Sequence, residues 1–139
     1  MARVLRIAAA LVTRVRADGV VEVLLVRKRG TRVYMQPGGK LEPGESAVVA
    51  LCRELCEELG LVVDASAPIA RGRVSAPAAN EAGFTVDADL FELSLANDDA
   101  VVAAAEIEEA RWVSLDDVDA LEIAPLLRDH ALPRLLRAR

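Results

Sequence analysis

Aromatic side chains are scarce in this chain, with two Phe, one Trp and one Tyr among 139 residues. Any core must therefore be filled by Ala, Val and Leu, and a hydrophobic content of 53% supplies them. Cysteine is limited to Cys52 and Cys56, and the only histidine is His130. Two thiols make half a structural zinc site, and no other Cys or His lies near them in sequence, so neither a zinc centre nor a disulfide framework is expected. One helical turn apart on an apolar arc, both read as small buried hydrophobes of a reducing, cytoplasmic compartment. His130 falls in a C-terminal helical segment, where a solvated or capping role is expected. A basic excess is also missing. The net charge of −5 speaks against a nucleic-acid-binding surface, which would normally be basic. No apolar run is long enough to span a bilayer. The N-terminal MARVLRIAAALVTRVR superficially resembles a signal peptide, but its apolar run is short and Arg14 and Arg16 follow at once, so it reads as a strand. Repeats, linkers and low-complexity tracts are absent.

What is present is one domain's worth of chain, residues 1–139, long enough to bury a core. Val4 to Arg16 reads as a largely apolar, central strand. Ala17-Asp18-Gly19 is a hairpin signal leading to a second strand, Val20 to Arg29. That strand ends in the basic cluster Arg27-Lys28-Arg29, which by itself reads as a solvated strand end. Val33 to Gln36 is a short extended lead-in. Later, Leu61 to Val63, Ile69 to Val74, Phe84 to Leu95 and Glu106 to Val113 read as extended, with Pro77 to Gly83 a loop of the kind that borders substrates. Asp87 and Asp89 fall on the solvent side of their strand, and Val86, Ala88 and Leu90 face inward. Ser114 and Asp117 have capping-box spacing at a short helical turn. Leu121 to Arg139 is expected to be helical, interrupted at Pro125 and Pro133.

Between these parts lies GGKLEPGESAVVALCRELCEELGL, from Gly38 to Leu61. Its first half is punctuated by Pro37, Gly38, Gly39, Pro43 and Gly44. Its second half, Ser46 to Leu59, is helix-forming, with Ser46 as a cap and Gly60 as a stop. At about 100° per residue, Val48, Leu51, Cys52, Leu55, Cys56 and Leu59 share one side, and Glu54, Glu57 and Glu58 share an arc on the other. Three carboxylates at such spacing repel one another. They form either a solvated acidic face or a site for a hard divalent cation such as Mg²⁺, which takes oxygen ligands and shares itself with substrate phosphates.

The stretch resembles the Nudix box, G-x5-E-x7-R-E-U-x-E-E-x-G-U, with U a bulky aliphatic residue. Gly39, Glu45, Arg53, Glu54, Leu55, Glu57, Glu58, Gly60 and Leu61 match it at every defined position. The late segment Glu106 to Leu115, with Trp112, resembles one that many Nudix proteins carry.

A MutT-like Nudix hydrolase is what the resemblance implies. Its fold is α+β, a mixed sheet between helices. Its activity is Mg²⁺- or Mn²⁺-dependent cleavage of a nucleoside diphosphate linked to another moiety X. A (deoxy)nucleoside triphosphate giving NMP and pyrophosphate is the expected substrate, with an ADP-ribose or nucleotide-sugar pyrophosphatase as one alternative and a non-catalytic nucleotide-sensing domain as another. The implied metal set is Glu54, Glu57 and Glu58, with the Gly38 carbonyl and Glu106. Glu54 serves as a ligand or as the proton acceptor for the attacking water. Arg53 orients the acids, with Glu45 in the same scaffold, and Gly39 and Gly60 shape the box. Arg27, Lys28 and Arg29 are candidate phosphate contacts. The partner implied is a small nucleotide rather than nucleic acid or membrane, and the protein is expected to be a monomer or homodimer.

Overall fold

The computed structural model describes residues 3–137. The apolar N-terminal stretch forms β1 (Arg3–Val15), as its run of small and branched residues requires, and turns at Gly19 into β2 (Val21–Lys28). Two short strands follow, β3 (Tyr34–Met35) and β4 (Gly38–Lys40), then helix α1 (Ala47–Leu59). Strands β5 (Ile69–Pro77), β6 (Phe84–Ser94) and β7 (Ile107–Ser114) complete one seven-stranded sheet. Its main path runs β3-β2-β1-β6-β5, with β4 pairing β1 and β7 pairing β2. β1 is parallel to β6 and antiparallel to β2 and β4, so the sheet is mixed and β1 is central.

Alternation along the strands sends side chains to two separate cores. Ala8, Ala10, Val12, Leu24 and Val26 pack under Leu51, Leu55 and Leu59 of α1. Ala9, Leu11, Val23, Leu25 and Leu90 pack against Leu127, Ala131, Leu132 and Leu135 at the C-terminus. Helices thus cover both faces, giving an α/β/α sandwich. Small alanines in β1 let elements approach closely where aromatics are lacking.

One topological feature makes room for a site. β1 and β2 pair at only three positions, Thr13 to Val15 with Val21 to Val23, and then part. β4 takes up the freed half of β1, with Ile7, Ala8 and Ala9 opposite Lys40, Gly39 and Gly38. The gap between the parted strands opens onto a cleft.

Ser46 caps α1 by accepting from the Val49 N–H, and Gly60 ends it in the left-handed conformation at φ 68°. The buried stripe of α1 comprises Ala50, Leu51, Leu55, Glu58 and Leu59. This rotates the helix relative to the expected division: Glu58 is buried, Cys56 is exposed and Cys52 half-buried. The sheet, not the helix's own apolar arc, sets which side is covered.

Other expectations change in detail. Leu61 to Val63 forms no strand, although Leu61 is buried. β5 extends to Pro77, so the following loop starts later. Ser114 Oγ accepts from the Asp116 N–H, and no capping box forms with Asp117. Pro133 lies inside α2 (Leu132–Arg137) rather than breaking it; a π-helical turn, Leu127–Ala131, precedes it. A widened turn suits a proline, which has no N–H to give to the preceding turn. Residues 138 and 139 of the expected helix lie outside the described residues.

Candidate active site

Five carboxylates and two lysines line one cleft of about 300 Å³. α1 contributes Glu54, Glu57 and Glu58, the loop before β7 contributes Glu106, and Lys28 and Lys40 come from the ends of β2 and β4. The apolar part of the lining comes from Leu5, Ile7, Val86 and Leu126, which belong to the core on the sheet face away from α1, together with Ala124. The expected loop after β5 does border this space, through Ala78, Ala79, Asn80 and Glu81.

Backbone contacts fix the acidic wall. Ala104 N–H donates to Glu58 O at 2.9 Å and Val102 N–H to Leu59 O at 3.1 Å. The last carbonyls of α1 thereby hold the loop that delivers Glu106. On the other side, Gly38 is pressed against the β1 backbone and Gly39 against the Glu54 side chain. A Cβ on Gly38 would stand 2.1 Å from Ala8 O, and one on Gly39 2.4 Å from the Glu54 carboxyl carbon.

Arg53 ties the loop to the helix. Its Nε and Nη2 donate to the two oxygens of Glu45 at 2.7 and 2.8 Å. Nη1 donates to Glu54 at 2.9 Å and to Glu57 at 3.4 Å, and Nη2 also to Lys40 O at 3.0 Å. The Arg53 guanidinium and the Glu42 N–H hold the Glu45 carboxyl down at about 2. Glu58 moves the opposite way. Burial, then a hydrogen bond with Glu54 and the charge of Glu54, push its carboxyl up to about 8, with Lys28 opposing the rise.

Glu106 is the most open of the acids, its side chain 74% exposed and 3.9 Å from Lys28 Nζ. Of the basic cluster only Lys28 lines the cleft. Arg27 instead donates to Glu109 at 3.3 Å and to Thr31 O at 2.9 Å, and Arg29 to Glu108 at 2.7 Å. Strand alternation puts Lys28 with Leu24 and Val26 on the face of α1 and its acids, and Arg27 with Val23 and Leu25 on the other face, where Glu109 and Thr31 engage it. Glu109 also accepts from Tyr34 Oη at 2.7 Å. His130 lies in the π-helical turn and does not line the cleft.

Three lining groups had no signal of their own in the sequence: Gln36, Lys40 and the apolar wall. Gln36 was detectable only as a polar residue in the extended lead-in before Pro37-Gly38-Gly39.

The donor chemistry suits a hard divalent cation. Glu58 is buried beside the carboxylate of Glu54, and both push its carboxyl up, a cost that a cation would relieve. Among the described residues no three acids are drawn together tightly enough to hold an ion alone. Substrate oxygens and waters would complete the shell, as they do for Mg²⁺ in phosphate sites.

Comparison with known proteins agrees with this layout. A putative 8-oxo-dGTP diphosphatase of Bacillus subtilis (strain 168) is 33% identical over 93 residues, which are 67% of this chain and 58% of the relative. The chain thus spans little more than half the length of that relative. The MutT protein of Methanosarcina mazei Go1 superposes with a TM-score of 0.75 at 26% identity, over 99% of this chain and 96% of that one. A C. elegans Ap4A hydrolase in a binary complex shares the fold at a TM-score of 0.75 and 21% identity, covering 96% of each chain. Residues 4–135 match the NUDIX domain, and with the box, the fold and the cleft in agreement, the chain belongs to the Nudix family.

Proposed function

We propose that this protein is a divalent-cation-dependent pyrophosphohydrolase that cleaves a (deoxy)nucleoside triphosphate to the monophosphate and pyrophosphate. The observation that carries the reading is the division of one cleft into a carboxylate wall and an apolar wall. The first suits a cation-bound polyphosphate and the second a nucleobase and sugar. The name of the Bacillus relative speaks for a triphosphate substrate.

Mg²⁺, when bound, neutralises phosphate charge and lowers the pKa of a water. The chain's own residues supply orientation. Arg53 and Glu58 hold Glu54 from two sides, which fixes its carboxylate before substrate arrives. We assign Glu54 to accept the proton of the attacking water, and Glu57, Glu58, Glu106 and the Gly38 carbonyl to ligation. Water adds to phosphorus in line, the anhydride P–O bond breaks, and pyrophosphate leaves with its electron pair. Lys28, which lines the cleft beside Glu106, offsets charge on the phosphates. Burial and the neighbouring Glu54 push the Glu58 carboxyl up to about 8, so Glu58 would give up a proton in holding a cation.

A panel of nucleoside triphosphates, nucleotide sugars and dinucleoside polyphosphates, with product identification, tests the reading. NMP and pyrophosphate are expected. NMP with a sugar phosphate would move the assignment to a nucleotide-sugar hydrolase. Tight nucleotide binding without turnover, with Mg²⁺ or Mn²⁺ present, would make this a sensing domain and end the hydrolase reading.

A further inference from the structure

We infer that Gln36 is the residue by which the cleft selects a nucleobase, its side-chain amide pairing with a base edge that sets a hydrogen-bond donor beside an acceptor. The inference rests on the reading of the cleft as a nucleotide site and adds which part of the nucleotide is recognised, and by what.

Gln36 is only 5% exposed, yet it is a cleft-lining residue. Both polar atoms of its amide, Nε2 and Oε1, are buried and have no hydrogen-bond partner among the described residues. A buried primary amide left unpaired is costly, and such groups persist where something outside the chain satisfies them. Its position is tightly held. Pro37 restricts the residue before it to extended backbone. Gly38 is pressed against β1, so the segment cannot slide to find a partner.

The surroundings indicate what the partner is. Gln36 stands in the cleft that has Leu5, Ile7, Val86 and Leu126 on one side and Glu54 and Glu58 on the other. The phosphates belong with the acids and their cation, which leaves the base for the apolar side. No aromatic residue lines the cleft among the described residues, so ring stacking cannot tell one base from another. A carboxamide offers two donors and an acceptor in one plane. Its complement is the amide or amidine edge of a nucleobase, the geometry that Gln uses bidentately on adenine in nucleic-acid complexes. A site built around such a bond rejects analogues lacking it far better than an apolar pocket rejects an extra methylene.

Gln36→Met keeps the length and apolar bulk of the side chain and removes the amide. Calorimetric titration of nucleoside monophosphates differing in base, with ribose 5-phosphate as the baseless control, reads recognition separately from turnover. Wild type is expected to bind one base at least ~10-fold better than the rest, and Gln36→Met to lose ~10- to 100-fold on that ligand alone. Affinity for ribose 5-phosphate stays unchanged. The variant melts at or above the wild-type temperature, because an unpaired buried amide has been removed. If Gln36→Met does not fold, Gln36→Glu, of the same shape with one donor group lost, is expected to change which base is preferred. Three outcomes overturn the inference. These are an unaltered base preference in the variants, no base preference in wild type, or an equal loss on every ligand with a lowered melting temperature, which marks an amide satisfied by an internal water. A Gln36-dependent base preference in a protein that hydrolyses nothing would sink the hydrolase reading and leave this one standing.

Discussion

Arg53 grips Glu45 at two points, Nε to one carboxylate oxygen at 2.7 Å and Nη2 to the other at 2.8 Å. The pair links the loop before α1 to the middle of the helix, and the same guanidinium reaches Glu54 and Glu57. Arg53 is therefore a clamp whose geometry transmits to the acids. Lysine keeps the charge but cannot fork between three carboxylates. Arg53→Lys is expected to lower kcat about 100-fold, since small misplacements of reacting groups cost that much, with little change in KM. Steady-state kinetics, beside an unchanged circular dichroism spectrum, check it.

The same pair has a signature in acid. Because the Glu45 carboxyl is held down at about 2, its contribution to stability is full above the unfolded value of 4.5 and is lost as pH falls through 2. Wild type should lose melting temperature over that window more steeply than Glu45→Gln, in melts without cation.

Glu58 gives the opposite slope. Its folded carboxyl is raised to about 8 from an ordinary 4.5, so the native state holds a proton that the unfolded chain releases. Cation-free stability should fall as pH rises from about 4.5 through 8. Glu58→Gln removes that slope, and above pH 8 it should melt several degrees higher than wild type while being nearly inactive. Mg²⁺ should raise the wild-type melting temperature, raise that of the variant less, and release protons on binding. Exhaustive chelation should abolish turnover. Equal Mg²⁺ shifts in both proteins would place the cation elsewhere.

Gly38 and Gly39 should fail differently when replaced by Ala. At Gly38 the new Cβ meets backbone, Ala8 O at 2.1 Å, and φ is +151°, so β4 must leave β1. A loss of ~3 kcal/mol is expected, from strain and overpacking together. At Gly39 the Cβ meets the Glu54 side chain rather than backbone, and that side chain must give up its Arg53 contact to make room. Gly39→Ala should cost under ~1 kcal/mol in stability yet lower activity by at least ~10-fold, through displacement of Glu54. Denaturant melts paired with kinetics separate the two.

Within Arg27-Lys28-Arg29, Lys28→Ala should raise KM about tenfold, the loss of one charged contact. Arg29→Ala should leave KM unchanged, and Arg27→Ala should lower stability instead, because Arg27 joins Glu109 and Thr31. Glu106→Gln should reduce activity less than Glu57→Gln, as its side chain is the most exposed of the acids. A large loss on Glu109→Gln beside an unchanged Glu106→Gln would shift the loop ligand to Glu109.

Local chemistry was legible in the linear chain. Ser46 and Gly60 mark the ends of α1 because a cap hydroxyl and a left-handed glycine act within one turn. The apolar run of β1 marked it as central, and fixed spacing in the Gly39–Leu61 box marked the family. What the sequence could not decide was which side of each element meets another element distant in the chain. The sheet turned α1 so that Glu58 is buried and Cys56 exposed, against the helix's own periodicity. Strand parity sent Lys28 to the face of α1 and its acids and Arg27 to the other face, where Glu109 holds it. Gln36 looks like any polar residue before a proline, and only the folded chain buries its amide. Burial and pairing of this kind depend on contacts across tens of residues, and those exist only in the folded protein.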